Sequence, residues 1–382
     1  MDGEPGMKIV VTGARGLLGW HAAARLHARN CDARFRGDAE PFELVCLDRD
    51  AFGDDANLAA AISGADAVLN FAGINRGTDD DVEAGNPAIA TRLVEGCKAA
   101  GAAPHIVYAN SVHCSRDNSY GRSKAGAARI LRDFAGSKFT DLVLPHIFGE
   151  CARPDYNNVT ATLIDRIARG ETPEINPNGA VELLHAGEAA DLAIAAALEG
   201  GPDLLEPQGR KLKVSELYDT LLGFHASYTG NVFPDLLDPF DLALFNSYRT
   251  GLYPQHYPRM LKLNSDARGT LFEAAKGGNA SQSFLSTTAP GIRRGDHFHT
   301  SLVERFLVVR GEAVIRIRKV LTDEVETFTV SGREPAAIDM PPLHTHHIEN
   351  TGKGELLTYF WAHRMFEPLN PDTFADPVLG AD

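Results

Sequence analysis

Two kinds of apolar pattern alternate along the first half of the chain. Residues 8–12, 42–47, 67–71, 105–109 and 140–144 are short runs dense in Val, Ile, Leu and Phe, which predicts strands. Residues 17–29, 56–62, 87–100 and 120–134 carry Ala and Leu at helical spacing, and residues 159–169 and 186–199 predict further helices. This alternation predicts a mostly parallel sheet covered on both faces. Residues 233–257, thick in Pro, Asn, Phe and Tyr, read as an irregular connector. From Met260 the runs are short and alternating: 282–287, 305–309, 313–319, 325–330, 336–339 and 356–361. Short strands without a long helix predict an antiparallel sandwich or barrel. The expected boundary lies near residue 245, giving domains 1–245 and 246–382.

Composition narrows the class. The 382 residues are 44% hydrophobic, enough for real cores and against a disordered chain. Lys and Arg number 37 against 51 Asp and Glu, a balance of −14 that argues against nonspecific nucleic-acid binding. Cys31, Cys46, Cys97, Cys114 and Cys151 form no C-x-x-C pair, so reduced thiols and a cytoplasmic setting are expected. Any metal site in the last third must use His and carboxylates. Residues 1–6 lack the basic flank and apolar stretch of a signal peptide, and no apolar run is long enough to predict a membrane span.

Thr12-Gly13-Ala14-Arg15-Gly16-Leu17-Leu18-Gly19 joins the first strand to the first helix. Gly13 permits the tight turn, Gly16 lets backbone approach a pyrophosphate, and Gly19 lets the helix approach the sheet. The helix N-terminus, with Arg15 and Leu17, offers N–H groups to phosphates. Asp48, ending the second strand, suits a ribose 2′-hydroxyl and NAD. The adjacent Arg49 suits a 2′-phosphate and NADP. Ala72-Gly73 follows the third strand, where the chain would pass the cofactor.

Ser111 ends the fourth strand, and Tyr120 and Lys124 stand one helical turn apart. Carbonyl reduction needs a proton donor beside a hydride source. A phenol serves only if a cation stabilises its phenolate. Lys124 can supply that charge, and Ser111 can hydrogen-bond the carbonyl.

With the glycine turn, this set resembles the extended short-chain dehydrogenase/reductase family over residues 7–245. The resemblance implies a Rossmann-like doubly wound sheet, NAD(P), catalytic roles for Ser111, Tyr120 and Lys124, and cofactor contacts from Gly13, Gly16 and Gly19. The family's Pro-Asn-x-Phe-Gly reads Pro145-His146-Ile147-Phe148-Gly149 here, and the arginine often found two residues before that Pro is Val143.

Six of the 14 histidines fall between His297 and His363. His297 and His299 alternate on one strand and so share a face, and Glu304 lies on the next. Residues 341–350 bring His344, His346 and His347. Three imidazoles and a carboxylate suit Zn²⁺ or another borderline divalent ion. The spacing resembles both motifs of the cupins, small double-stranded β-barrels. The first runs complete from Gly291 to Gly311, and the second matches Pro341, His346 and Asn350, with Leu343 for a glycine. The resemblance implies His297, His299, Glu304 and His346 as ligands, with His344 in reserve.

The two halves together resemble the CapF/WbjC family of bifunctional capsular polysaccharide and O-antigen enzymes over residues 7–378. Specific stretches include residues 72–76, 153–158, 304–309 and 366–373. The resemblance implies a UDP-linked 2-acetamido-2,6-dideoxy-4-hexulose, epimerised at C3 in the cupin domain and reduced at C4 with NADPH. The product would be UDP-2-acetamido-2,6-dideoxy-L-talose, precursor of UDP-N-acetyl-L-fucosamine, made by a homodimer. The alternatives are a 4-ketoreductase whose cupin only braces or dimerises the chain, and a non-catalytic module binding NADP and metal. Asp296, His344, Tyr359 and His363 are polar candidates for the C3 proton transfers. Arg76 and Asn158 are candidate sugar contacts, Asn158 equally a helix cap, and Trp361 reads as barrel core.

Overall fold

Side-chain alternation explains how the first sheet is sandwiched. In β1 (Met7–Thr12) Ile9 and Val11 face one core while Val10 faces the other. The structure, a computed structural model, describes residues 6–267, 269–277 and 281–380; the acidic start before Gly6 lies outside the described residues. The chain continues through α1 (Leu17–Arg36), β2 (Phe42–Leu47), α2 (Arg49–Gly53), α3 (Asp55–Ile62) and β3 (Ala67–Asn70). Then come α4 (Asp79–Ala100), β4 (His105–Ser111), α5 (Ser119–Ala135) and β5 (Phe139–Leu144). The parallel sheet runs β2-β1-β3-β4-β5, with Leu204–Leu205 at its edge. One face packs on α1 and the helix Ala186–Glu199 through Ala22, Leu26, Ala190 and Ile194. The other packs on α3, α4 and α5 through Leu58, Leu93, Cys97 and Leu131. Because β2 and β3 flank β1, the strand order reverses there and a crevice opens at the carboxyl ends of β1 and β3.

Helix α4 begins eight residues before the expected start at Pro87. A capping box of Thr78 and Asp81, with acidic Asp79 and Asp80 in the first turn, starts it, and Pro87 is carried inside. The supposed connector 233–257 contains the helix Pro239–Leu252, capped by Asp238 with Pro239 in its first turn. A further helix, Val214–Thr229, buries Leu217, Leu221, Phe224 and Tyr228.

The contacts divide the chain into two units, Met1–Ile147 with Val181–Lys211 and Phe148–Ala180 with Leu212–Asp382. The second contains an all-β part with two five-stranded sheets. One orders Arg259–Met260, Ala336–Met340, Glu304–Arg310, Leu356–Ala362 and Gln282–Thr288. The other orders Val325–Ser331, Glu312–Lys319, His344–Asn350, Arg293–Phe298 and Phe374–Ala375. Within this unit the two late helices clamp the strands. Buried Arg249 donates to the carbonyls of Met340 and Leu302, and Tyr228 donates to Asp339, itself ion-paired with buried Arg305 at 2.6 Å. Trp361 is core, stacked on Phe233 at 4.1 Å. Asn158 accepts from Ala161 N–H and caps the helix Val159–Ala168.

Candidate active site and metal centre

Close backbone approach makes glycine obligatory after β1. Gly13 adopts φ +64°, and a Cβ there would lie 2.9 Å from Ala72 N. A Cβ on Gly19 would lie 2.3 Å from the Gly13 carbonyl oxygen. No side chain caps the first turn of α1, which begins at Leu17 behind Gly16. Thr12 donates to Asn70 Oδ1 at 2.7 Å, ordering the edge where Ala72 and Gly73 follow, while the buried Asn70 Nδ2 has no hydrogen-bond partner. An uncapped helix start, a glycine cradle and an orphan amide at one crevice fit a dinucleotide. Asp48 caps α2 by accepting from Ala51 N–H and pairs with Arg15 at 2.8 Å, while Arg49 is exposed beside them.

Ser111 stands at the carboxyl end of β4, the same edge of the parallel sheet. Its N–H donates to Asn110 Oδ1, and Asn110 Nδ2 donates to Asp141, which pairs with Arg132 at 3.0 Å. Sequence reading missed this relay. Its only signal was an Asn and an Asp on adjacent strands. Asn118 caps α5, and Gly121 lets the helix sit on the preceding turn, since a Cβ there would lie 2.2 Å from Arg116 O. That seat sets Tyr120 beside Ser111. Burial raises the Tyr120 phenol above its ordinary value, against the lowering effect of Ser111. Lys124 is buried, donates to the Ala109 carbonyl, and lies 4.3 Å from the Tyr108 ring centroid. Burial lowers its ammonium to about 7, against the raising effect of Asp141. His146 is half-buried with no hydrogen-bond partner for Nε2, and burial lowers its pKa.

In the second unit, His297, His299, Glu304 and His346 place one ligand atom each within 4.8 Å of one another. The strand bearing His297 is not regular. Gly295 (φ +111°) and Asp296 (φ +60°) form a bulge that pairs His297 with His346, and His299 lies just past the strand end. Glu304 opens a strand of one sheet and His346 lies in the other, so the cluster bridges the two. Glu304 Oε2 is 3.2 Å from His299 Nε2 and 3.4 Å from His346 Nε2. The latter contact lacks hydrogen-bond alignment, leaving a buried ring nitrogen unsatisfied. Burial opposes ionisation of Glu304, but His299 and His346 outweigh it and hold the carboxyl far below its ordinary value. Burial and the neighbouring imidazoles lower His297 to about 3. Three neutral-capable imidazoles around a carboxylate, one with an idle lone pair, fit a divalent cation.

His344 and His347 lie outside this cluster. His344 Nδ1 donates to Pro342 O at 2.8 Å, and His347 pairs with Asp296 at 2.9 Å. Leu343, in place of the motif's glycine, takes φ +56° and is held by donating its N–H to His299 O at 2.7 Å. The turn therefore keeps the left-handed geometry that favours glycine. Among the proton-transfer candidates, His363 Nδ1 accepts from Val303 N–H and Asp296 also pairs with Arg293 at 3.0 Å. Tyr359 is half-buried on the strand Leu356–Ala362, and Arg76 is exposed.

The parallel sheet with its glycine crevice defines the class of NAD(P)-binding oxidoreductases and epimerases. Residues 9–204 match the NAD dependent epimerase/dehydratase family, and the chain belongs to it. Residues 264–374 match the polysaccharide biosynthesis C-terminal domain. The chain is similar to the UDP-2-acetamido-2,6-beta-L-arabino-hexul-4-ose reductase of Pseudomonas aeruginosa, 29% identical over 97% of this chain and 99% of that one. It is also similar to the structure of the capsular polysaccharide assembling protein CapF from Staphylococcus aureus, with 29% identity, TM-score 0.56, and coverage of 97% and 100%. A structure of CapF with 3-isopropenyl-tropolone matches at 28% identity and TM-score 0.53, with the same coverage. Among the described residues no helix is long and apolar enough to cross a membrane.

Proposed function

We propose that this chain reduces the C4 ketone of a UDP-linked 2-acetamido-2,6-dideoxy-4-hexulose with NADPH. The observation that carries the reading is the gathering of Ser111, Tyr120 and Lys124 at the sheet edge that also carries the glycine cradle. The activity for which the Pseudomonas aeruginosa relative is named supports the substrate class. Bound nicotinamide supplies the hydride. Ser111 Oγ hydrogen-bonds the ketone oxygen, Tyr120 delivers the proton to the alkoxide as it forms, and Lys124 stabilises the phenolate left behind. NADPH is favoured over NADH because Asp48 is engaged by its helix cap and by Arg15, leaving the exposed Arg49 at the end of the same strand for a 2′-phosphate.

A second step is supported by the four-residue cluster. We read the β part, residues 246–382, as a cupin barrel whose His297, His299, Glu304 and His346 hold a divalent cation, zinc by donor type. Such an ion, held by these four residues, would polarise a ketone oxygen. The C3 proton is alpha to that ketone, so its removal and return on the opposite face inverts C3 before reduction. The same ketone then serves both steps, giving the 6-deoxy-L-talo sugar nucleotide, in a homodimer as the family resemblance implies. The simpler alternative keeps the reductase and gives the metal only a bracing role. Incubation with the UDP-4-keto-6-deoxy-N-acetylhexosamine, comparing NADPH with NADH and reading product stereochemistry by NMR, tests the reading. A reduced sugar formed faster with NADPH is expected; an unreduced ketone with either cofactor overturns it.

A further inference from the structure

The stretch 366–373 has no role in the chemistry above, yet it carries one of the most heavily engaged carboxylates among the described residues, Asp372. Asp372 is buried, with φ +47°. Its Oδ1 accepts from Thr300 N–H at 2.8 Å and from Thr300 Oγ1 at 2.6 Å. Its Oδ2 accepts from Ser301 N–H at 3.0 Å, Ser301 Oγ at 2.9 Å and Leu302 N–H at 2.9 Å. Five donors on one carboxylate leave it little freedom and demand its full charge. Residues 300–303 are the link between two members of the metal cluster, His299 and Glu304. The remaining N–H of that link, from Val303, is taken by His363 Nδ1 at 3.0 Å.

The same residue also reaches a ligand directly. His299 Nδ1 lies 2.6 Å from the Asp372 backbone oxygen. A carbonyl only accepts, so Nδ1 carries a proton, and Nε2, which faces Glu304 at 3.2 Å, is the nitrogen left to give up its proton to a cation. Buried Arg249 and Asn246 hold the other side of the link, donating to Leu302 O at 3.2 Å and Ser301 O at 2.8 Å. The link is thus gripped on its N–H groups by Asp372 and on its carbonyls by the helix Pro239–Leu252.

We propose that Asp372 is a positioning residue of the metal centre: its carboxylate fixes the His299-to-Glu304 spacing and its carbonyl fixes the His299 tautomer, so the C-terminal stretch governs how tightly a divalent cation is held. The proposal rests on the metal-centre reading given above. Replacing a residue behind a ligand typically lowers metal affinity by about 10–100-fold.

The test uses the full-length chain, stripped with chelator and titrated with Co²⁺. Asp372→Asn keeps the backbone carbonyl but loses the charge and presents an NH₂ to N–H donors. It is expected to weaken Co²⁺ binding about 10–100-fold and to change the visible d–d bands. Thr300→Val, which removes one hydroxyl donor and keeps the shape, is expected to weaken it less and decides the matter if Asp372→Asn does not fold. Metal-free melting of each variant separates loss of fold from loss of ligand geometry. Unchanged affinity and bands in a folded Asp372→Asn, or in Thr300→Val if that variant must decide, overturn the clamp while leaving the metal centre intact. Wild-type protein that binds no Co²⁺ overturns the metal reading and the clamp with it.

Discussion

Lys124 and Tyr120 stand one turn apart on α5, and burial pulls them in opposite directions. The phenol is raised, so Tyr120 keeps its proton through neutral pH, the form a reduction needs in its donor. The ammonium is lowered to about 7, so the charge that would steady the phenolate is in play near neutrality. The pH dependence of kcat/KM for NADPH reports ionisations of the free enzyme, and it is expected to fall as pH rises through about 7. A profile flat from about pH 6 to pH 9 would remove Lys124 from the proposed role. The same shift has a signed effect on folding. Between about 7 and the ordinary lysine value near 10.4 the unfolded chain binds the extra proton, so this group makes stability rise with pH across that window. Lys124→Met is expected to flatten the rise in urea midpoint there.

At the level of the element, one strand–turn–helix unit sets the cofactor cradle. Because the space for a Gly19 side chain is filled by Gly13 backbone, Gly19→Ala must push α1 off its seat. A loss of about 1–3 kcal/mol in stability and weaker NADPH binding are expected, read by urea denaturation and fluorescence titration. Wild-type NADPH affinity in this variant would mean the helix start does not seat the cofactor. This unit was legible because three glycines, a β-branched strand and an amphipathic helix all sit within residues 7–36. The late helices were not. In 233–257 the aromatic density reads as irregular, although Asp238-Pro239 is an ordinary helix start. Those aromatics are core: Phe245 and Tyr248 pack with Phe224 and Tyr228 of the neighbouring helix. The histidine cluster was legible from spacing, but its geometry was not. His297 and His299 do share a face, their ring centroids 5.1 Å apart, but neither the bulge at Gly295 and Asp296 that sets His297 opposite His346 nor the tie from His299 to Asp372, 73 residues on, is written in that spacing.

For the whole molecule, the decisive question is whether one ketone is handled by two separable sets of residues. Tyr120 belongs to the first unit, and the four-residue cluster to the second. If proton exchange at C3 belongs to the cluster, it needs no nicotinamide, and substrate held in D₂O without NADPH should take up deuterium at C3. Tyr120→Phe removes the only acidic hydrogen of that side chain, so it should lower reduction by about 10²–10⁴-fold while leaving the deuterium uptake intact. His297→Ala removes one of three imidazoles, so it should lose metal and deuterium uptake together while keeping NADPH binding. No uptake in the intact protein would leave the metal a brace and the chain a reductase alone. Uptake lost equally in both variants would contradict the separation, because a single centre would then be moving the C3 proton and delivering the hydride.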